Sequence, residues 1–266
     1  MEIIAHRGAS RDAPENTLAS LCLGFEEGAD VGELDVRLTR DDQIVLMHDS
    51  TTGRTAMIDL AIRETNLAVL KRLDVGRRRG VAWARERIPT LDEALSILPP
   101  GKRLFVEIKC GPEILLPLER LLRTRPSLSR IAIIGFDWET MREAKVLFPH
   151  LEVYWLSAFK RERANKNRKP STDRLIERAL AADLDGLNLL HAGRIDAAFV
   201  RKAHRAGLKV YVWTVDNPRR ARKLATVGVD GLATNRPGWM RRRLAAKTDS
   251  RRGGSISVAA EAEATP

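Results

Sequence analysis

Cysteine is nearly absent: the 266 residues include two, Cys22 and Cys110. They lie far apart and outside any CxxC spacing, which excludes a zinc ribbon and a disulfide framework and leaves two reduced packing residues. Long apolar runs are missing too. No stretch approaches the ~20 apolar residues a bilayer span requires, so no membrane crossing is expected. Strand-like residues begin at Ile3, leaving no room for the charged region, apolar region and cleavage site of a secretory leader; on that ground the expected compartment is the cytoplasm. Acidic residues are outnumbered, 35 Asp and Glu against 46 Lys and Arg, for a net charge of +11. The excess is clustered at Arg77 to Arg79, Lys160 to Lys169 and Arg241 to Arg252. Such runs read as solvated surface and tail charge. They are compatible with weak contact to an anionic surface and carry no signature of specific nucleic-acid recognition.

What remains is the composition of a globular protein, 44% hydrophobic and 30% charged, at a length that suits one large domain. The pattern alternates. EIIAHRG reads as a strand; a helix follows that carries Leu18, Leu21 and Phe25, capped by Asn16 or Thr17 and stopped by Gly28. VGELDVRLT is a second strand, and QIVLM returns as an extended segment after the Asp41-Asp42 turn. Between Ser50 and Pro89 the regularity breaks, as expected of an insertion that caps one rim. Six further strand-like runs, RLFVEIK, IAIIG, EVYWL, GLNLL, KVYVWTV and DGLAT, then alternate with helices that open near Thr90, Glu113, Trp138, Thr172, Asp196, Pro218 and Trp239. Eight strands separated by helices predict an α/β fold, a (β/α)₈ TIM barrel with a small insertion after the second strand unit. The expected organisation is one barrel over residues 1–246, with 50–89 as the capping insertion and 247–266 as a disordered tail.

In such a barrel, chemistry collects at the C-terminal ends of the strands. Because strand side chains alternate faces, Glu33 and Asp35 share one face, and so do Glu107 and Lys109. His6, His48 and the three carboxylates therefore converge on one mouth. Three carboxylates there repel one another unless a cation sits between them, and oxygen ligands select a hard divalent ion, Mg²⁺ or Ca²⁺. Two imidazoles beside that ion suit a proton acceptor and a proton donor. Arg7 and Lys109 add positive charge where a phosphate would sit. Alternative uses remain: Arg7 orienting a neighbouring carboxylate, and Glu107 with Lys109 as an internal salt bridge. Trp213 and, more weakly, Phe136 are candidates for an apolar pocket wall. Glu15 reads as structural, and His150, His191 and His204 as residues without a role.

The motifs together resemble the glycerophosphodiester phosphodiesterases of the phospholipase-C-like phosphodiesterase superfamily. The matching pieces are HRG at His6 to Gly8, PENT at Pro14 to Thr17, GAD followed by ELDV and LT, HD at His48-Asp49, LDVG, IPTLDEAL, EIK at Glu107 to Lys109, VWTV at Val212 to Val215, and GVDG followed by ATNRP. They run from Ile3 to about Pro237. The resemblance implies an acid/base pair in His6 and His48, metal ligation by Glu33, Asp35 and Glu107, and phosphate contacts from Arg7 and Lys109. It implies hydrolysis of a glycerophosphodiester such as glycerophosphocholine or glycerophosphoethanolamine to sn-glycerol 3-phosphate and an alcohol. The chain departs from the pattern at Asn235, where Asp is frequent, at Gly135, where Ser is frequent before Phe136, and over Gly53 to Ala56. These positions bear on substrate preference. Two other readings are compatible with the residues. One is a lysophospholipase D acting on membrane lysolipids, with Trp83, Trp138 and Trp213 as groove candidates. The other is a non-catalytic barrel that binds anionic surfaces.

Overall fold

The computed structural model describes residues 1–125, 128–159 and 172–246. The basic run from Lys160 to Lys169 and the tail beyond Ala246 lie outside the described residues. Among these, the strands are β1 (Glu2–His6), β2 (Val31–Leu38), β3 (Ile44–Leu46), β4 (Arg103–Ile108), β5 (Ile131–Gly135), β6 (Glu152–Ser157), β7 (Gly186–Leu190), β8 (Lys209–Trp213) and β9 (Gly231–Thr234). All but β3 run parallel, and β1 pairs with both β9 and β2, so eight strands close into a barrel. The helices are α1 (Leu18–Glu26), α2 (Leu67–Leu70), α3 (Leu91–Ser96), α4 (Leu115–Arg123), α5 (Trp138–Leu147), α6 (Thr172–Ala181), α7 (Ala197–Arg205), α8 (Pro218–Val227) and α9 (Pro237–Ala245). Apart from α2, each follows a barrel strand, as the sequence predicts.

Local chemistry fixes where helices begin. Thr17 and Thr90 accept from the backbone amides of Ser20 and Glu93, whose side chains accept in return from the cap amide, forming two capping boxes. Asp137, Asp196 and Asn217 cap α5, α7 and α8 through their side-chain oxygens.

The period of two along each strand divides the interior in two. Outward residues such as Leu34, Val106, Ile133 and Leu187 pack under the helices, whereas Ile4, Phe105, Tyr154 and Tyr211 fill the lumen. The lumen is layered. At the N-terminal end Arg103 pairs with Glu2 and Glu152, and Glu152 also takes Lys209. Above that ring the Phe105, Tyr154 and Tyr211 rings lie 5.0–5.4 Å apart, centroid to centroid. Tilted and edge-on contacts of this kind add roughly 1 kcal/mol each beyond the area they bury. The third layer, at the C-terminal end, carries the candidate site residues Glu33, Asp35 and Glu107.

β3 is the exception to the parallel rule. It pairs antiparallel with the end of β2, Leu38 opposite Ile44 and Val36 opposite Leu46. β2 thus overshoots the barrel and the chain folds back along it. From Ser50 to Pro89 the chain builds a small separate apolar cluster, with Ala56, Ile62, Leu70 and Ile88 packed around Val45 and Met47 of the fold-back. Arg77 to Arg79 form an exposed 3₁₀ turn at its surface.

The turn after β1 has two consecutive left-handed residues, Arg7 at φ 56° and Gly8 at φ 78°. A Cβ on Gly8 would lie 2.4 Å from the Ser20 carbonyl carbon, so conformation and space both demand glycine. Gly8→Ala is expected to lower unfolding stability by about 2 kcal/mol or more. Urea denaturation followed by circular dichroism checks this; an unchanged midpoint contradicts it.

Candidate active site

β1, β2 and β4 are neighbours, and their register sets side chains from distant parts of the chain beside one another. His6 lies opposite Glu33, and Asp35 opposite Glu107. Glu33, Asp35 and Glu107 are all buried, and each offers one oxygen within 4.8 Å of the others'. Burial and mutual repulsion push the Glu33 and Glu107 carboxyls well above the usual carboxylate range. Glu33 Oε1 and Asp35 Oδ1 are buried without a hydrogen-bond partner among the described residues. A hard divalent cation accepts such a donor set, three crowded carboxylates with lone pairs to spare.

Two cations already face the cluster. Lys109 Nζ lies 2.6 Å from Glu107 Oε1 and 3.5 Å from Asp35 Oδ1. Arg7 Nε lies 3.0 Å from Asp35 Oδ2, its N–H pointing off the hydrogen-bond direction. The Arg7 backbone amide donates to Glu33 Oε2 at 2.8 Å. Both basic groups are therefore engaged with carboxylates, as the salt-bridge reading of the sequence allows.

His48 reaches the mouth by the fold-back rather than from a barrel strand. Beyond β3 the Met47 amide donates to the Asp35 carbonyl, and the Arg37 guanidinium donates twice to the His48 carbonyl. His48 Nδ1 lies 2.6 Å from Asp49 Oδ1. An ionised carboxylate only accepts, so the proton sits on Nδ1 and the Nε2 lone pair is free. The His6 tautomer follows by a longer argument. The Asp216 carboxylate accepts from the Asn235 backbone amide at 2.9 Å, from Thr234 Oγ1 at 2.7 Å and from Asn235 Nδ2 at 2.5 Å. That turns Asn235 Oδ1 towards His6 Nδ1, 2.8 Å away, and Nδ1 again donates. Burial chiefly, with Arg7 adding repulsion, holds His6 below the usual imidazole range; burial does the same to His48. Burial thus favours the neutral form of both rings, and with Nδ1 donating, Nε2 is the atom open to a proton.

His6, Arg7, Glu33, His48, Glu107 and Lys109 line one side of a cavity of about 160 Å³. Phe136 and Trp213 also line it, their rings edge to face at 5.5 Å, with the Lys109 ammonium 5.7 Å from the Phe136 ring centre. Asp35 lies buried beneath, against Arg7 and Lys109. Every predicted site residue is thus in one place. Trp138 and Trp83 are not: neither lines the cavity, and the Trp138 indole donates to the Arg178 carbonyl. That removes two of the three tryptophans proposed for a lipid groove. His150, His191 and His204 also lie outside the cavity.

Several contributors escape sequence reading. Asn16, with φ 56°, looks like a helix cap; Thr17 takes that part, and Asn16 clamps Asp35, donating to Oδ2 at 2.8 Å and accepting from its amide at 3.0 Å. Glu15 bridges Arg7 and Arg54, and Arg54 also meets Asp49. Arg54 of the insertion thereby joins the groups that hold both Arg7 and His48. Asp216, directly after the VWTV strand, is the acidic strand-end residue whose position was a usable signal.

Residues 6–239 match the model of the glycerophosphoryl diester phosphodiesterase family. A glycerophosphodiester phosphodiesterase of Caldanaerobacter subterraneus is 32% identical over 243 residues, covering 88% of this chain and 94% of that protein. The structure of an Oleispira antarctica phosphodiesterase in complex with the product sn-glycerol-3-phosphate superposes with a TM-score of 0.81 at 29% identity, over 92% of this chain and 97% of that one. The Thermotoga maritima glycerophosphodiester phosphodiesterase, at 24% identity and a TM-score of 0.74 over 91% of this chain and 97% of that one, bears on the fold alone. With the fold, the clustered carboxylates and the paired histidines already in view, the chain belongs to the glycerophosphoryl diester phosphodiesterase family and is a phosphoric diester hydrolase.

Proposed function

We propose that the protein hydrolyses small glycerophosphodiesters, such as glycerophosphocholine or glycerophosphoethanolamine, to sn-glycerol 3-phosphate and an alcohol, with Glu33, Asp35 and Glu107 holding one divalent cation, Mg²⁺ or Ca²⁺. The observation that carries this reading is the buried carboxylate cluster flanked by two histidines whose Nε2 atoms are free. When bound, the cation would offset the negative charge that grows on the phosphoryl oxygens. With all groups ionised, three carboxylates against Arg7 and Lys109 leave one negative charge; a divalent ion turns this to one positive charge, the complement of a phosphodiester monoanion.

In this reading Arg7 and Lys109 contact the phosphate, Arg7 through its fork and Lys109 as a point charge. One of His6 and His48 takes a proton at its Nε2 from the oxygen nucleophile, which is water or the substrate's own glycerol hydroxyl with water then opening the cyclic ester, and the other, once protonated, returns one to the leaving alcohol. Asn235 and Asp49 keep each ring in the productive tautomer. Phe136 and Trp213 exclude water from the far wall. Residues 50–89, anchored through Arg54, cap the mouth of a single barrel unit formed by residues 1–246. The cavity, at about 160 Å³, is below the ~300–1,000 Å³ of pockets that take drug-sized ligands, which favours a soluble diester over a lysolipid.

Activity tests the assignment directly. Release of glycerol 3-phosphate from glycerophosphocholine in Mg²⁺ or Ca²⁺ should stop with chelator, and His6→Ala or His48→Ala should lower kcat by about 10²–10⁴-fold. No product from any glycerophosphodiester with either ion sinks the substrate assignment.

Stability against pH tests the cation site without turnover. A carboxyl whose folded pKa is raised binds more protons folded than unfolded between the two values, so stability falls as pH rises through that window. Chelated protein should therefore melt at progressively lower temperature from about pH 7 to about pH 8, where the raised Glu33 and Glu107 carboxyls still titrate and the two buried histidines, which act in the opposite sense at lower pH, no longer do. Mg²⁺ or Ca²⁺ should restore the loss chiefly at the upper end, and Glu33→Gln should flatten the curve. A melting temperature indifferent to both pH and cation speaks against the site.

A further inference from the structure

The cavity has two chemically different walls. Its charged wall comes from β1, β2, the fold-back and β4; its opposite wall comes from β5 to β9 and includes Ile134, Phe136, Leu156, Asn188, Trp213 and Ala233. Five of these six are apolar or aromatic. Asn188 stands out.

It lies in the middle of β7, opposite Leu156 of β6 and Tyr211 of β8. Its neighbours Leu187 and Leu189 pack outwards under the helices, so alternation turns Asn188 into the barrel. There it is only 3% exposed, and its Oδ1 is buried without a hydrogen-bond partner among the described residues. The Trp213 indole N–H on this wall is spent on the Asn188 backbone carbonyl at 3.2 Å. A buried amide with an unused acceptor is costly, and an apolar residue of similar size would remove the cost. Its presence in a ligand cavity, across from the phosphate-binding groups, is explained if a ligand completes it.

We infer that Asn188 is a specificity-determining residue, reading a free hydroxyl of the substrate's glycerol moiety. The inference rests on the proposed glycerophosphodiesterase reading and says which part of that substrate faces the uncharged wall. A phosphate held between Arg7 and Lys109 sends its short carbon chain across the cavity. Phe136 and Trp213 cover the C–H faces of that chain. An amide matches a hydroxyl in either orientation, because its oxygen accepts and its NH₂ donates while a hydroxyl does both. An alkyl alcohol on the same phosphate would leave the amide unpaired, and the site rejects it for that reason.

The test crosses enzyme variants with substrates. Wild type, Asn188→Leu and Asn188→Ala are assayed on glycerophosphocholine and on the phosphocholine esters of propane-1,2-diol and propane-1,3-diol, each of which lacks one glycerol hydroxyl. Wild type should prefer glycerophosphocholine over at least one of these analogues by about 10²-fold in kcat/KM. In both variants that preference should shrink to a few-fold, through loss on glycerophosphocholine and little change on the analogue. A merely structural role would lower all three substrates together. Circular dichroism and melting temperature identify any variant that does not fold; Asn188→Ser, smaller and still polar, then takes its place and should retain an intermediate preference. Equal turnover of all three substrates by wild type, or a preference that survives in folded variants, overturns the role of Asn188. Absence of turnover of every substrate by wild type overturns the functional reading itself, and the inference falls with it.

Discussion

Crowding of like charge in a dry place governs this molecule. Glu33, Asp35 and Glu107 lie at one end of a lumen whose other contents are largely apolar, and no rearrangement of a closed eight-stranded barrel moves them apart. Much else near the mouth answers that constraint. Asn16 clamps Asp35, the Arg7 amide donates to Glu33, and Lys109 closes on Glu107. The opposite end of the barrel has the reverse arrangement: Arg103 and Lys209 interleave with Glu2 and Glu152, and the charges there satisfy one another. One end is balanced by its own side chains, whereas the other is left with acid in excess, and the candidate active site lies at the second.

Much of this was legible in the sequence because it depends on short-range periodicity. Pairs of ionisable residues two apart, Glu33 with Asp35 and Glu107 with Lys109, share a face whatever the rest of the chain does. Helix starts follow from local capping chemistry at Thr17 and Thr90. Eight repeats of strand and helix then leave few ways to fold, and the barrel is the familiar one.

What stayed hidden depends on register and loop path. Asn16 has the composition of a cap, and only the left-handed turn at that residue sends its amide to Asp35 instead of to the helix. Asp216 and Asn235 act on His6 across the seam where β9 meets β1, a contact that no local pattern encodes. Arg54 lies in the irregular segment, where neither period of two nor period of 3.6 gives direction to a side chain. Asn188, within GLNLL, is hidden for a different reason: an isolated amide in an apolar strand has the same appearance whether its partner is protein, water or ligand.

The ring stack of Phe105, Tyr154 and Tyr211 has a bearing on traffic. Those side chains fill the lumen beneath the carboxylates, so among the described residues the cavity is closed from below. A ligand seated there meets packed rings at its floor instead of water, and its exchange with solvent runs past the loops at the C-terminal ends of the strands.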